Sequence, residues 1–259
     1  MTTDFGHKGP FAAVMHGVIL SRFPDARVID LAHDIPPQWP PEAGFWISRS
    51  YQYFPCGTIH IAIVDPGVGT EREILVVEHD GHVFMAPDNG LLAPLLDHAE
   101  NPRIWQLDVD KLTSLRLGKI SDTFHGRDIF APVAAELAAG RLPLTALGKP
   151  VTEWTPGWLN DPEVLAEKVT GTIITIDAFG NLISNIDASL IKDFAEPVIH
   201  IAGHQLPMLS TYGRATPGDF LALINSFEVV EIAKAEGSAA AGLNSERGAP
   251  LIVTDGYTT

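Results

Sequence analysis

The pattern of apolar and polar positions predicts helices that alternate with strands over the first part of the chain. Apolar residues recur at helical spacing over residues 11–23 and again over residues 42–54. Residues 26–31 and the β-branched run at 58–64 have the character of strands, the second one buried. Helices interleaved with strands predict an α/β domain built on a central, mostly parallel sheet.

The same part of the chain contains one clear hairpin signal. Residues 73–77 and 82–85 read as two strands joined across Asp80-Gly81, a dipeptide that suits a tight turn with positive φ angles. A further strand is predicted at 104–107, and an alanine-rich helix over 129–139 that ends at a glycine.

The character of the sequence changes near residue 146. Residues 146–168 are rich in proline and show little periodicity, which predicts a linker between an N-terminal domain (1–145) and a C-terminal domain (169–259). Beyond the linker the chain has five short alternating runs, at 169–176, 182–186, 198–201, 220–224 and 229–232. Short strands without helices between them predict a smaller, all-β, barrel-like domain.

Composition narrows the function. The chain has 259 residues, a formal net charge of -15 and one cysteine, Cys56. An acidic surface repels phosphate backbones, so nucleic-acid binding is not expected. No apolar run of about 18 residues and no signal-peptide pattern appear, and a single cysteine allows no internal disulfide. These features predict a cytoplasmic protein without a membrane segment.

The stretch Val-Asp-Pro-Gly-Val-Gly at 64–69 combines a strand end with polar chemistry. Asp65 ends the buried strand, and Pro-Gly after it begins a turn. Ligands of open α/β sheets bind at the carboxyl ends of strands, and Arg72 follows closely enough to reach the same pocket. A solvated turn explains this stretch equally well when it is taken alone. His125 precedes Gly126, where a bent backbone would leave the imidazole exposed.

Other kinds of chemistry lack their signatures. The ten histidines show no HxH or HExxH spacing, so a metal site is not expected, and Asp30 and His33 are interpreted as capping the turn that follows them. The chain contains no GxGxxG, no phosphate-binding P-loop and no GxSxG nucleophile motif. Chemistry by a positioned acid, arginine and histidine, without a cofactor, remains.

Five short motifs occur in an order that resembles a known family. They are Thr-Asp-Phe-Gly at 3–6, Val-Asp-Pro-Gly-Val-Gly at 64–69, Pro-Asp-Asn-Gly at 87–90, Phe-His-Gly-Arg-Asp at 124–128 and Phe-Gly-Asn at 179–181. In this order and at these spacings they resemble the S-adenosyl-L-methionine (SAM) hydrolase family, also called SAM hydroxide adenosyltransferases, which shares its fold with fluorinases and chlorinases. The resemblance covers nearly the whole chain.

The resemblance implies a homotrimer in which the N-terminal domain of one subunit and the C-terminal domain of its neighbour enclose SAM. It implies attack of water on C5′ of the ribose, which releases adenosine and L-methionine without a metal or cofactor. The water-activating residues of the family correspond to Asp65, Arg72 and His125. Holding reactants in line contributes roughly 7–11 kcal/mol in favourable cases.

The resemblance also implies a set of substrate contacts. Asp4 corresponds to the ribose ligand, Asp177 to the contact with the methionine amine, and Asn181 to the adenine ligand; Ser226 and Glu231 correspond to further ligand positions. The chain departs from the family pattern at Gly9, where a second acid is usual, and at Phe11, where tyrosine is usual.

Two other functions fit part of this pattern. A non-catalytic adenosine or SAM binder would use Asp4, Asp177 and Asn181 and would have no chemical task for Asp65, Arg72 and His125. A SAM-dependent halogenase would consume SAM only with chloride or fluoride present, and the family's halogenases lack the water-activating residues.

Overall fold

The computed structural model describes residues 1–115 and 117–256, and these form two compact units, the first ending at Trp158 and the second beginning at Leu159. The predicted domain limits at 145 and 169 stay predictions. The last three residues of the predicted second domain, 257–259, lie outside the described residues.

The first unit is a sheet covered by helices. Its strands are β1 (Thr2–Thr3), β2 (Ile59–Ile63), β3 (Ile74–His79), β4 (His82–Pro87), β5 (Arg103–Leu107) and β6 (Gly148–Val151), and its α-helices are α1 (Phe11–Arg22), α2 (Pro40–Ser50), α3 (Ala93–Leu96) and α4 (Ala131–Ala138). The strand order is β1-β2-β4-β3-β5-β6. The α/β class predicted from the sequence is confirmed.

Among the paired strands that the structure describes in this sheet, β1 with β2 and β2 with β4 are parallel and the others are antiparallel, so the sheet is mixed. The predicted hairpin explains part of this arrangement. Asp80 and Gly81 both have positive φ, at 49° and 75°, and the turn they form folds β4 back on β3.

Strand β2 is buried on both faces. Ile61 and Ile63 belong to a core with Met15 of α1 and Phe130, the residue before α4. Ala62 and Val64 belong to a second core, with α2 and α3, on the other face. Burial on both faces explains why this strand is a continuous apolar run rather than an alternating one.

The strand predicted at 26–31 is wrong. The segment has no regular secondary structure and runs alongside β1. The Leu31 N–H donates to the Met1 carbonyl (2.8 Å), and an isolated bridge joins Thr2 and Ala32. Because β1 has only two residues, it offers too little backbone for a ladder on its outer side.

The second unit is an antiparallel, barrel-like sheet. Its strands are β7 (Glu163–Leu165), β8 (Lys168–Ile176), β9 (Leu182–Asp187), β10 (Pro197–Ile201), β11 (His204–Pro207), β12 (Phe220–Ile224), β13 (Val229–Lys234) and β14 (Pro250–Asp255), and the α-helix α5 (Ala239–Leu243) accompanies them. The order is β11-β10-β14-β8-β9-β13-β12, with β7 beside β8. Met208, directly after β11, bridges Ala222 of β12, so the two ends of the sheet meet. The predicted barrel-like class is confirmed.

The longest α-helix of the described residues, α1, has 12 residues. In the part of the chain that the structure describes, no helix is both long enough and apolar enough to cross a bilayer.

Candidate active site

The parallel strands bring three polar loops to one edge of the first sheet. Thr3 of β1 pairs with Ile63 of β2, so Asp4 and Asp65 both follow the carboxyl ends of neighbouring strands. From the loop after β4, the Asn89 side-chain amide donates to the carbonyl of Val64 at 2.8 Å. This bond holds the backbone directly before Asp65.

Asp65, Arg72 and His125 form one hydrogen-bonded chain. Arg72 Nε donates to both carboxylate oxygens of Asp65, at 3.1 and 2.9 Å, and Nη2 donates to Oδ2 at 2.5 Å. The same Nη2 lies 2.8 Å from His125 Nδ1. The side chains of Asp65 and Arg72 are only 4% and 11% exposed, so this ion pair is little screened by water.

The contact with Arg72 sets the protonation of His125. A guanidinium can only donate hydrogen bonds, so Nδ1 must accept, and the neutral ring then carries its proton on Nε2. Burial lowers the pKa of His125, and the charge of Arg72 lowers it further, against the opposing effect of Asp65. The imidazole is therefore neutral near pH 7 and acts as a donor through Nε2–H.

A close approach of two loops makes these contacts possible. Gly69 has a φ of 78°, and a Cβ atom there would lie 2.1 Å from the carbonyl oxygen of Asp122. Only glycine fits this backbone and this gap. The loop that carries Arg72 can therefore lie against the loop that leads to His125.

The His125 loop has its own support. Asp128 accepts a hydrogen bond from the Ser121 backbone N–H at 2.9 Å and pairs with Arg127. His125 itself begins a π-helical turn, Gly126–Phe130, that continues into α4. π-Turns inside helices are frequent at functional sites.

A cavity of about 330 Å³ opens beside Asp65 and His125. Its lining residues are Asp4, Phe5, Phe11, Ile63, Asp65, Val68, Thr123, Phe124, His125 and Gly126. The volume lies at the lower end of the roughly 300–1,000 Å³ typical of ligand pockets. It combines carboxylates with an aromatic wall.

The aromatic wall consists of Phe5, Phe11 and Phe124, whose ring centroids lie 5.5–6.0 Å apart. A Cβ atom at Gly9 would lie 2.8 Å from the Phe11 ring. A side chain at position 9 would therefore displace this ring.

Arg72 lines a second cavity, of about 440 Å³, whose wall is charged, and His125 lines both cavities. Glu71, Asp108 and Lys149 contribute to that wall.

Asp4, in the first cavity, is held by the backbone N–H of Gln38, which donates to its Oδ2 at 3.0 Å.

The predicted ligand residues of the second unit form two groups. In the first, Asp177 Oδ1 accepts from the backbone N–H of Phe179 (2.9 Å) and of Asn181 (2.8 Å), and Asn181 Nδ2 donates to Oδ2 at 3.0 Å. These bonds shape the turn around Gly180. Phe179 at its tip is 79% exposed.

In the second group, Glu231 is 3% exposed and lies on β13. The Tyr212 hydroxyl donates to Oε1 at 2.6 Å and Asn225 Nδ2 donates to Oε2 at 3.2 Å. Burial raises the pKa of Glu231, and the negative charge of Asp177 raises it further. Ser226, beside Asn225, is exposed.

The structure thus brings Asp4, Asp65, Arg72 and His125 together in the first unit and Asp177 with Asn181 in the second. Sequence reasoning missed Tyr212 as a partner of Glu231, since a lone tyrosine in a polar segment gives no periodic signal. It also missed the close approach at Gly69, although Gly at that position of the Val-Asp-Pro-Gly-Val-Gly motif hinted at it.

Two family models match the chain. The SAM hydroxide adenosyltransferase N-terminal domain matches residues 1–148, and the C-terminal domain of the same family matches residues 171–252.

Similar proteins agree with this match over nearly full length. The chain is 36% identical to a (R)-S-adenosyl-L-methionine hydrolase from Thermus thermophilus, covering 96% of each chain. It is 36% identical to one from Salinispora tropica, covering 98% of this chain and 97% of the other. A crystal structure of an uncharacterized conserved protein from Thermotoga maritima superposes with a TM-score of 0.87 at 31% identity and covers 98% of both chains.

Proposed function

The chain belongs to the SAM hydroxide adenosyltransferase family, and from that premise we propose that it hydrolyses S-adenosyl-L-methionine to adenosine and L-methionine. The observation that carries this proposal is the connected set of Asp65, Arg72 and His125 beside a cavity lined by Asp4.

The reaction needs little help at its leaving group. The oxygen of water forms a bond to C5′ of the ribose while the bond from C5′ to sulfur breaks, and the electron pair of that bond goes to the sulfonium. Methionine leaves as a neutral thioether, adenosine carries the new 5′ hydroxyl, and one proton is released to solvent. For this reason the proposal assigns no task to a metal or cofactor.

The difficulty lies in positioning a weak nucleophile, and this is the role proposed for the three residues. Nε2–H of His125 and the guanidinium of Arg72 are donors that would stabilise the nucleophile as hydroxide, its proton having been released to solvent. Asp65 holds the guanidinium in place by accepting three hydrogen bonds from it. Fixed donors aimed at developing charge are often the largest contribution to catalysis.

The substrate contacts are proposals of the same kind. A carboxylate such as Asp4 accepts from two neighbouring ribose hydroxyls at once. Asp177 would bind the methionine amine and Asn181 the adenine, while Ser226 and Glu231 would complete the ligand shell. The 79% exposed ring of Phe179 supports completion of this surface by another copy, as in the proposed homotrimer with sites at subunit interfaces. A cytoplasmic location is part of the same proposal.

The test is incubation of purified protein with SAM in H₂¹⁸O, with separation of the products by chromatography and mass spectrometry. We expect adenosine with one ¹⁸O at the 5′ hydroxyl and an equal amount of methionine, at a rate independent of halide. Parallel reactions contain chloride or fluoride, and His125→Ala is the inactive control.

Three outcomes contradict the proposal. A 5′-halogenated nucleoside that appears only with halide would assign the protein to the halogenases. Tight SAM binding with the substrate intact would assign it to non-catalytic binding. Adenosine formation at an undiminished rate in His125→Ala would remove that residue from the mechanism.

A further inference from the structure

A cluster of two histidines and one aspartate lies outside the candidate active site. His16 Nε2 is 2.9 Å from Asp30 Oδ1, and His33 Nε2 is 3.0 Å from the same oxygen. His16 lies on α1, whereas Asp30 and His33 lie in the irregular segment beside β1. The three potential ligand atoms all lie within 4.8 Å of one another.

The buried member of the cluster has a nitrogen without a well-directed hydrogen bond. His33 is 2% exposed, and among the residues that the structure describes its Nε2 has no partner in hydrogen-bonding geometry, although Asp30 Oδ1 lies close by. His16 Nε2 and His33 Nε2 converge on the same carboxylate oxygen, so three potential metal ligands lie together.

The other nitrogen of the same ring has a defined partner. His33 Nδ1 lies 2.8 Å from the Thr3 hydroxyl, which itself accepts a hydrogen bond from the Phe5 backbone N–H at 3.2 Å. Metal-binding histidines regularly use their second nitrogen in this way, which fixes the ring and leaves the free nitrogen as a lone-pair ligand.

From this geometry we propose that His16, Asp30 and His33 bind a divalent transition-metal ion, Zn²⁺ being the best match. Tetrahedral zinc has ligand bonds of about 2.0–2.1 Å, which places its ligand atoms about 3.4 Å apart. The present separations of 2.9 and 3.0 Å need only a small expansion to accept the ion. Two nitrogens and one oxygen suit zinc, whereas Mg²⁺ and Ca²⁺ prefer oxygen alone.

The site is open on one side. The side chains of His16 and Asp30 are 29% and 38% exposed, so an ion can enter from solvent and keep a water as its fourth ligand. Because the ligand pattern is spread over 18 residues of sequence and two elements, it has none of the short spacings that identify metal sites in a sequence.

The ion would connect α1 to the segment that supports β1. This segment lacks a strand ladder, and Thr3, which contacts His33, directly precedes Asp4. Metal binding is thus expected to stabilise the unit and to restrain the start of the loop that carries Asp4. The proposal is independent of the hydrolase reaction.

The test uses the full chain without a polyhistidine tag, stripped with a chelator and then titrated with Zn²⁺ by calorimetry and with Co²⁺ by visible spectroscopy. We expect one ion per chain, a rise in melting temperature, and the strong visible bands of four-coordinate Co²⁺. His16→Gln and Asp30→Asn should each weaken Zn²⁺ binding at least tenfold. Both residues are partly exposed, so these variants should retain the fold, which circular dichroism checks.

The matched control is His98→Gln, an exposed histidine in another loop, which should bind Zn²⁺ like the original chain. Equal affinity in His16→Gln, Asp30→Asn and His98→Gln would overturn the assignment, since the ion would then bind elsewhere. Absence of saturable binding by the original chain would show that the cluster is only a pair of histidine–aspartate contacts. Neither result depends on SAM turnover.

Discussion

Replacement of Arg72 by lysine tests the central chain of contacts without removing its charge. The guanidinium contacts two groups at once, Asp65 through Nε and Nη2 and His125 through Nη2. A lysine ammonium is a single point charge on a flexible stem and cannot reproduce this fork. We expect Arg72→Lys to keep the ion pair with Asp65 and to lose the contact with His125.

The size of the effect follows from the lost bond. A hydrogen bond to a charged group contributes about 1.5–3 kcal/mol, and each 1.36 kcal/mol is a tenfold change in rate. If the contact acts in the transition state, kcat falls about 10- to 150-fold while KM for SAM changes little. The loss is in kcat because Asp4 and the second-unit ligands, which bind the ground state in this proposal, are untouched.

The assay measures initial rates of adenosine formation over a range of SAM concentrations at pH 8. The control is Arg103→Lys, in which the same change is made at an arginine that is 66% exposed and paired with Glu78. A kcat for a folded Arg72→Lys within twofold of the original would refute the reasoning, as would an equal loss in Arg103→Lys.

Three further predictions follow from single features of the first unit. The pKa of His125 is lowered, and only its neutral ring can accept a hydrogen bond from Arg72. A plot of kcat/KM against pH should therefore be flat at neutral pH and fall only below pH 6.5. A midpoint above pH 6.5 would contradict this expectation. Gly69→Ala should reduce kcat at least tenfold, since its methyl group meets the Asp122 carbonyl, whereas Gly213→Ala, at a glycine with open space, should not. Burial lowers the pKa of His60 to about 4. Between pH 6.5 and 4 the unfolded chain therefore binds more protons at this residue than the folded chain, and the free energy of unfolding falls on acidification. The loss from this group is on the order of 3 kcal/mol. Urea unfolding of His60→Phe should show a smaller loss between pH 7 and 4.5, and an unchanged loss would refute the assignment.

Local features were predictable because neighbouring residues decide them. The α1 helix, the β2 strand and the hairpin at Asp80-Gly81 follow from apolar spacing and turn chemistry within a few residues. The motifs predicted the family, and the three residues that the resemblance assigns to water activation are hydrogen-bonded to one another. Their roles in catalysis stay predictions that the experiments above address.

The strands that pair with one another could not be predicted from such local patterns. Residues 26–31 have strand composition, but β1 is too short to pair with them, and only the assembled sheet reveals this. The mixed sheet has the same origin, because the order of strands depends on contacts between residues far apart in the chain.

The amino-acid sequence by itself determined the α/β and β-barrel classes, the order of the motifs and the identity of Asp65, Arg72 and His125 as candidates. Only the tertiary structure decided which nitrogen of His125 accepts from Arg72, how Gly69 lets two loops touch, and that His16 meets Asp30 and His33. The physical reason is the distance along the chain over which each effect acts, since periodicity and turn preference involve only a few neighbouring residues. Hydrogen-bond partners and burial are set by elements that meet only when the chain has folded.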